Sequence, residues 1–339
     1  MATLKDIAEL AQVSPAAVSR ILNNDASLSV TDETREKVIA AAKKLGYKKR
    51  TKAPSQKIQK MPSITIGLLQ WYSMFQELED PYYQNIRNGI EACCVDLNIR
   101  VLRIFKTDQD YEKQLANVDG LICVGKYSSD DIINFQTSTK HFVIVDMVSP
   151  KITFNCVTLD FRQAVFDIMN YLTSLGHRRI AYLGGIEYIG DMIYFEQRKQ
   201  HFIDYCTAHH LEYEPYLIEK EFSAESGFQM MNELLEKETL PTAVFAASDP
   251  IAIGAMRALH QAGLKIPQDI SIVGFDDISV ASYTNPPLTT IHAPAELMGK
   301  AAVKFLYQKI ILDSSIDLPI QITFPCELMK RDSCGRAGQ

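Results

Sequence analysis

Apolar side chains recur at helical spacing in three short blocks at the start of the chain: Leu4, Ile7, Ala8 and Ala11; then Val18, Ile21 and Leu22; then Val38, Ala41, Ala42 and Leu45. Punctuation between the blocks sets the ends of three helices. Thr3-Leu4-Lys5-Asp6 has the spacing of a capping box, in which hydroxyl and carboxylate satisfy each other's backbone N–H. Gln12-Val13-Ser14 interrupts the first block, after which Ser14 can cap a second helix and Pro15 fits its first position, where no N–H is needed. That helix runs from Pro15 to about Leu22 and turns Pro15, Ala16, Ser19, Arg20 and Asn23 away from its apolar face. A third opens at Thr31-Asp32-Glu33 and stops at Gly46, a residue suited to left-handed backbone.

From Ile64 the pattern changes. Short apolar runs (64–69, 101–104, 120–124 and 142–145) alternate with helical blocks such as Tyr82 to Leu97. A second series opens with a helix from Phe161 to Leu175 and continues through strands at 180–183, 243–247 and 270–274. Apolar strands alternating with helices predict parallel sheets covered on both faces, and two series predict two lobes. The fold class is therefore α/β, doubly wound, behind a small all-helical head. In such sheets a ligand binds beyond the carboxyl ends of the strands, which between two lobes means the cleft. The divisions read off the chain are a head over 1–47, a basic linker over 48–63 and a body over 64–334. Lobe one takes about 64–160 plus 291–320, and lobe two about 161–290 plus 321–334.

Charge adds a partner. The 339 residues carry a net charge of −6, yet residues 1–60 hold 12 Lys and Arg against 6 Asp and Glu, so the basic excess belongs to the head and linker alone. A basic head on an acidic body suits phosphate neutralisation by the head, although a solvated basic helix has the same composition. The seven cysteines are scattered without Cys-X-X-Cys spacing and read as reduced thiols, with no metal site. The charged N-terminus and the lack of about 18 consecutive apolar residues predict a cytoplasmic protein, neither exported nor in a membrane.

Two helices joined by a short turn and braced by a third are a helix-turn-helix, whose second helix enters the major groove. Arg20 can fork onto guanine, Asn23 can reach a base edge or phosphate, and small Pro15 and Ala16 permit close approach. An ordinary three-helix bundle with an exposed arginine has the same spacing. The ordered run Thr3-Leu4-Lys5-Asp6-Ile7-Ala8, Val13-Ser14, Val18-Ser19-Arg20, Leu22-Asn23 and Lys44-Leu45-Gly46-Tyr47 resembles the signature of the lactose/galactose repressor (LacI/GalR) family. The resemblance implies DNA contacts by Thr3, Ser14, Pro15, Ala16, Ser19, Arg20 and Asn23. Gln12 stands where the family usually has a turn glycine, and Ala17 where it has threonine. The linker lacks the family's Ala-Arg-X-Leu hinge motif and has Ile58 as a weak substitute for its leucine. Its Lys48, Lys49 and Arg50 suit phosphate contacts.

The body carries the resemblance onward through Ala246-Ala247-Ser248-Asp249, Ile266-Pro267-Gln268-Asp269-Ile270-Ser271, Gly274-Phe275-Asp276-Asp277 and Pro286-Pro287-Leu288-Thr289-Thr290-Ile291. It implies a periplasmic-binding-protein-like body in which Asp276 and Arg198 meet effector hydroxyls, Asp146 and Ser248 add polar contacts, and Phe222 is an aromatic platform. Tyr82, after the first strand, is either core or part of a sugar-stacking wall. Asp277 is expected to cap a helix, Gly184-Gly185 to make a tight strand-to-helix turn, and the His177-Arg178-Arg179 run to cap a helix end or to be solvated. The implied function is a repressor, homodimeric on palindromic operator DNA and controlled by galactose or a β-galactoside. It is not an enzyme and needs no cofactor. Three competing readings are a sugar-binding transport component, an enzyme on a doubly wound fold, and an activator or corepressor-dependent regulator of the same family. The first would not need the basic head. The second lacks a phosphate loop, a metal set or a recognisable nucleophile.

Overall fold

A computed structural model describes residues 2–23, 25, 30–47, 64–73, 81–148, 153–312 and 318–338. The chain forms two compact units, 1–61 and 62–339.

The head holds α1 (Leu4–Ala11), α2 (Pro15–Leu22) and α3 (Asp32–Lys44). Its core is Ile7, Ala8, Ala11, Val18, Ile21, Val38, Ala41 and Ala42, and the alanines among them let three short helices approach closely. The ends are built as the sequence implies. Thr3 N donates to Asp6 Oδ2 at 2.7 Å while Asp6 N donates to Thr3 Oγ1 at 3.4 Å, closing the capping box. Ala17 N donates to Ser14 Oγ at 3.2 Å, with Pro15 at the helix start. Gly46 is left-handed (φ 62°), Tyr47 N reaches the Ala42 carbonyl at 2.9 Å and Gly46 N reaches Lys43, a Schellman end to α3. Gln12 also takes left-handed backbone (φ 54°), which explains why glycine would serve there.

The first lobe is one parallel sheet of six strands in the order β13-β5-β4-β3-β1-β2. Its strands are β1 (Thr65–Gln70), β2 (Arg100–Phe105), β3 (Gly120–Val124), β4 (Phe142–Val145), β5 (Cys156–Leu159) and β13 (Gln321–Phe324). Helices α4 (Pro81–Asp96), α5 (Tyr111–Leu115), α6 (Ser129–Ser138) and α11 (Ala295–Leu312) belong with it. The second sheet has the order β14-β12-β11-β10-β6-β9, parallel except where β14 runs against β12. It comprises β6 (Ile180–Gly185), β9 (Leu217–Lys220), β10 (Ala243–Ala246), β11 (Ser271–Asp276), β12 (Thr289–His292) and β14 (Glu327–Met329). With it go α7 (Phe161–Ser174), α8 (Gln197–Ala208), α9 (Ala224–Leu235) and α10 (Asp249–Gln261), and a hairpin, β7 (Tyr188–Ile189) and β8 (Met192–Ile193).

The returns between lobes differ from those expected at 291 and 321. Asp276 pairs with His292 across β11 and β12, so lobe two continues through 292. Gln321–Phe324 pairs in register with Cys156–Leu159, so lobe one continues through 324. Strand pairing overrides a boundary drawn from periodicity alone. In each lobe one helix pair meets at glycines: a Cβ at Gly89 would lie 2.0 Å from the Glu296 carbonyl oxygen, and one at Gly254 would lie 1.8 Å from that of Ala224.

Candidate nucleic-acid interface and ligand cleft

In the head, packing of Val18 and Ile21 turns the opposite side of α2 outward, so Ser14, Pro15, Ala16, Arg20 and Asn23 are exposed and Ser19 half-buried. Thr3 is exposed at the start of α1. Arg20 Nε donates to Asp25 Oδ2 at 2.8 Å, which orients the guanidinium from the end of its own helix. Lys48, Lys49 and Arg50, with the rest of the linker, lie outside the described residues.

In the body, Tyr82, Asp146, Arg198, Phe222, Ser248 and Asp276 line a single cavity, joined by Tyr83, Phe161 and Glu187. They come from strand carboxyl ends and helix starts of both lobes, as a doubly wound architecture dictates. Asp146 follows β4 with φ 70°, Asp276 ends β11 with φ 107° and Asp277 has φ 55°. Left-handed backbone away from glycine is strained, and here it gathers where the strands open into the cleft.

Each side chain is held by neighbours. Tyr82 Oη donates to Asp146 Oδ1 at 3.1 Å and Tyr83 Oη to Asp146 Oδ2 at 2.9 Å. Burial, reinforced by the Asp146 charge, keeps both phenols well above their ordinary pKa, hence protonated donors. Arg198 Nε donates to Glu196 Oε1 and its Nη1 to the Ala247 carbonyl, both at 2.7 Å. The guanidinium carbon lies 5.4, 5.1 and 5.2 Å from the ring centres of Phe161, Phe222 and Phe275. Burial would raise the Glu196 pKa, but Arg198, with hydrogen bonds from Lys199 N and Tyr182 Oη, outweighs it and holds the carboxylate below its ordinary value. Ser248 Oγ accepts from Ile251 N at 3.4 Å as the cap of α10, which leaves its O–H able to donate.

The charged floor of the cavity has no counterpart in the sequence pattern. Lys126, 5% exposed, lies 2.6 Å from Asp146 Oδ2 and 3.9 Å from Glu187 Oε2, an ion cluster that joins lobe one to a residue of lobe two. Burial alone would lower the Lys126 pKa, and the two carboxylates more than reverse that. Burial pushes Glu187 up to about 7 despite Lys126. The space left among these side chains is about 20 Å³, room for roughly one water and far less than a sugar ring.

Two smaller expectations are corrected and a third is met in part. Asp277 caps no helix: its carboxylate receives Arg331 Nη2 at 2.5 Å and lies 3.0 Å from His292 Nδ1, while Asp249 Oδ2 takes the Ile278 N–H at 2.8 Å. Gly184-Gly185 is the end of β6 and not a turn. A Cβ on Gly185 would lie 2.1 Å from the Phe222 ring, so the glycine is there to let that ring lie flat. In the His177-Arg178-Arg179 run, His177 N closes the end of α7 on the Leu172 carbonyl (3.1 Å) and Arg178 and Arg179 are exposed, as expected, but the His177 ring is buried between Thr242 Oγ1 (2.9 Å) and the Gly335 carbonyl (3.0 Å) and ties the C-terminal segment to lobe two. Trp71 and Tyr72 stack on each other at 4.8 Å and pack behind Tyr83.

Among the described residues no group of His, Cys, Asp and Glu is arranged to hold a metal, and no helix is long and apolar enough to cross a membrane. Residues 3–49 match the bacterial regulatory proteins of the lacI family, and residues 169–334 match the periplasmic binding protein-like domain. The chain is 34% identical over 342 residues to the HTH-type transcriptional repressor MelR of Bacillus subtilis (strain 168), covering 99% of this chain and 98% of that one. It is 35% identical over 339 residues to the HTH-type transcriptional regulator GalR of Lacticaseibacillus casei, covering 98% and 99%. The structure of the lac repressor dimer bound to operator and the anti-inducer ONPF superposes with a TM-score of 0.68 at 28% identity, over 98% of each chain. Kinship that runs from the first helix to the last strand leaves one membership: the chain belongs to the lacI family of bacterial regulatory proteins, DNA-binding transcription regulators with a periplasmic-binding-protein-like body.

Proposed function

We propose that this regulator is a cytoplasmic repressor, homodimeric on a two-fold symmetric operator, whose operator affinity is set by a galactose-like sugar held between the lobes of its body. The head (1–47) reads bases through Arg20 and Asn23, with Thr3, Ser14, Pro15, Ala16 and Ser19 fixing its register. Lys48, Lys49 and Arg50 in the linker (48–63) add phosphate contacts. One head offers few contacts, so a dimer held by the body (64–334) and matched to a palindrome supplies the rest.

The observation that carries the effector reading is the convergence of Tyr82, Asp146, Arg198, Phe222, Ser248 and Asp276 on one cavity. Carboxylates accept from sugar hydroxyls, Arg198 donates, and an aromatic ring takes the apolar face of a pyranose. The name of the Lacticaseibacillus casei relative favours galactose among the sugars. Because the cavity is nearly filled, a sugar has to displace Arg198 from Phe222 or part the lobes. It shifts operator affinity to the extent that it prefers the resulting arrangement.

The test is operator affinity by gel shift across a galactose titration, for wild type, Asp276→Ala and Asp276→Asn, with thermal melting as a check on folding. Asparagine tolerates positive φ better than alanine, so it separates lost chemistry from backbone strain. Both variants should bind operator as wild type does and respond to galactose only at far higher concentration. A folded variant with the wild-type response excludes Asp276 from the site. Equal affinity for half-site and palindrome removes the dimer.

A further inference from the structure

Three short segments carry the chain between the two sheets: residue 160, residues 293–294 and residues 325–326. Lobes joined so briefly can turn against each other as rigid bodies, so the side-chain contacts that cross between them fix their relation. Several of these gather at one point. Lys126, between β3 and α6, lies 3.9 Å from Glu187 Oε2, and Tyr83 Oη, on α4, donates to Glu187 Oε1 at 3.4 Å. Tyr194, just past the hairpin, sets its ring 5.1 Å from Lys126 Nζ and donates from its Oη to the Val148 carbonyl at 3.4 Å. Lys126, Tyr83 and Val148 belong to lobe one, Glu187 and Tyr194 to lobe two.

The charges at this point do not balance. Arg198 is committed to Glu196 at 2.7 Å, and Lys126 to Asp146, whose Oδ2 lies at 2.6 Å and whose carbonyl it also binds. Glu187 is left with a long share of Lys126 and with the Tyr83 hydroxyl, which is shorter to Asp146 at 2.9 Å. The other charges that face it are Asp146, Arg198 and Glu196, and Asp276 lines the same cavity, so carboxylates outnumber cations around a buried carboxyl group. An ionised carboxylate compensated so thinly is costly inside a protein. A proton on Glu187 removes that cost and gives the group an O–H to donate.

We infer that Lys126, Asp146, Tyr83 and Glu187 form a proton-dependent latch, which fastens the lobes to each other through the chain's own side chains while Glu187 is protonated and lets them part when that proton is lost. The latch is separate from the galactose reading, because it acts on closure whatever ligand the cleft takes. With the lobes apart Glu187 faces water and titrates in the ordinary carboxylate range, whereas in the closed body burial pushes it up to about 7. Between those values the closed form holds the extra proton. Closure therefore weakens about tenfold for each pH unit as pH rises, and levels off above about pH 7.

Pulsed electron double resonance on the full-length chain reads lobe separation directly. Seven cysteines make thiol labels unselective, so nitroxides are carried on p-acetylphenylalanine at Ile133 and Met192, exposed positions on the two walls of the groove between α6 and the hairpin. An excess of unlabelled chain confines the signal to distances within one chain. At about pH 5.5 one short distance should dominate, and towards about pH 8 a longer population should grow, its ratio to the short one rising about tenfold per pH unit before levelling. Glu187→Gln, a neutral side chain of the same shape, should hold the short distance across that range. Asp249→Asn, at a second buried acid that burial pushes up to about 8, should titrate as wild type does. A wild-type distance that pH does not move, a longer population that still grows in Glu187→Gln, or its loss in Asp249→Asn overturns the latch.

Discussion

The head and the cleft solve recognition in opposite ways. Every exposed residue of the second helix of the head lies between Ser14 and Asn23, braced by a few alanines and aliphatic side chains and fixed by hydrogen bonds within five positions. The cleft takes its residues from Tyr82 to Asp276, and its central ion cluster joins Lys126 and Asp146 of one lobe to Glu187 of the other. The difference teaches where each region is fragile. A change in the head acts on its own helix, whereas a change in the cleft acts on the contacts that join the two lobes.

The strongest way to break this contrast is Lys126→Met. It removes the cation that Asp146 and Glu187 share and leaves two carboxylates buried, which should destabilise the body by about 3–5 kcal/mol. Urea unfolding followed through Trp71 should show that loss, while the head keeps its helical signal to the wild-type midpoint. An unchanged body would mean the cluster is hydrated enough to do without its lysine.

The second test uses acidity. Burial pushes Asp249 up to about 8, with Thr290 Oγ1 on Oδ1 at 2.5 Å and Ile278 N on Oδ2. Its folded pKa lies above the unfolded value, so between the two the folded state holds the extra proton and body stability falls as pH rises. From about pH 6 to about pH 7.5 the fall should be on the order of 2 kcal/mol, to which Glu187 adds in the same direction. Asp249→Asn should flatten most of that slope in chemical denaturation, and the head should show none of it. A slope that persists in the variant would put the titration elsewhere.

A third test sharpens the head. Arg20→Ala should cost roughly 1–3 kcal/mol of base discrimination, measured as the ratio of operator to random-DNA affinity. An equal loss on both DNAs would make Arg20 a phosphate contact. The smallest effect belongs to the cap: Ser14→Ala should lower head stability by about 1 kcal/mol through the bond to Ala17 N. The galactose response should not move, and if it did the two regions would be less separate than their chemistry implies.

The same contrast explains what the sequence could reveal. Caps, a helix-start proline and a terminal glycine are local signals, so Thr3, Ser14, Pro15 and Gly46 announce the head's helices almost to the residue. Strand–helix alternation likewise announces two sheets, but the third crossing is set by pairing of Gln321–Phe324 with β5, a contact no periodicity encodes. In the cleft, the residues carried by family resemblance meet in one cavity, while Lys126, Glu187 and Glu196 have no signal in the sequence pattern. A buried charge has no signature until its partners, here up to 61 positions away between Lys126 and Glu187, are seen to converge.

The left-handed backbone at Asp146, Asp276 and Asp277 also limits which side chains the strand ends can carry. Only glycine, asparagine and aspartate adopt such geometry with little penalty, and a branched or long side chain is disfavoured by roughly 1–3 kcal/mol before any contact is lost. Those three positions at the strand ends therefore have a three-letter alphabet. Phe222, Glu187 and Ser248 carry no such restriction, so under the effector reading proposed above a change of ligand has its open routes through them. The backbone at the strand ends thus restricts substitution there before any contact with a ligand is counted.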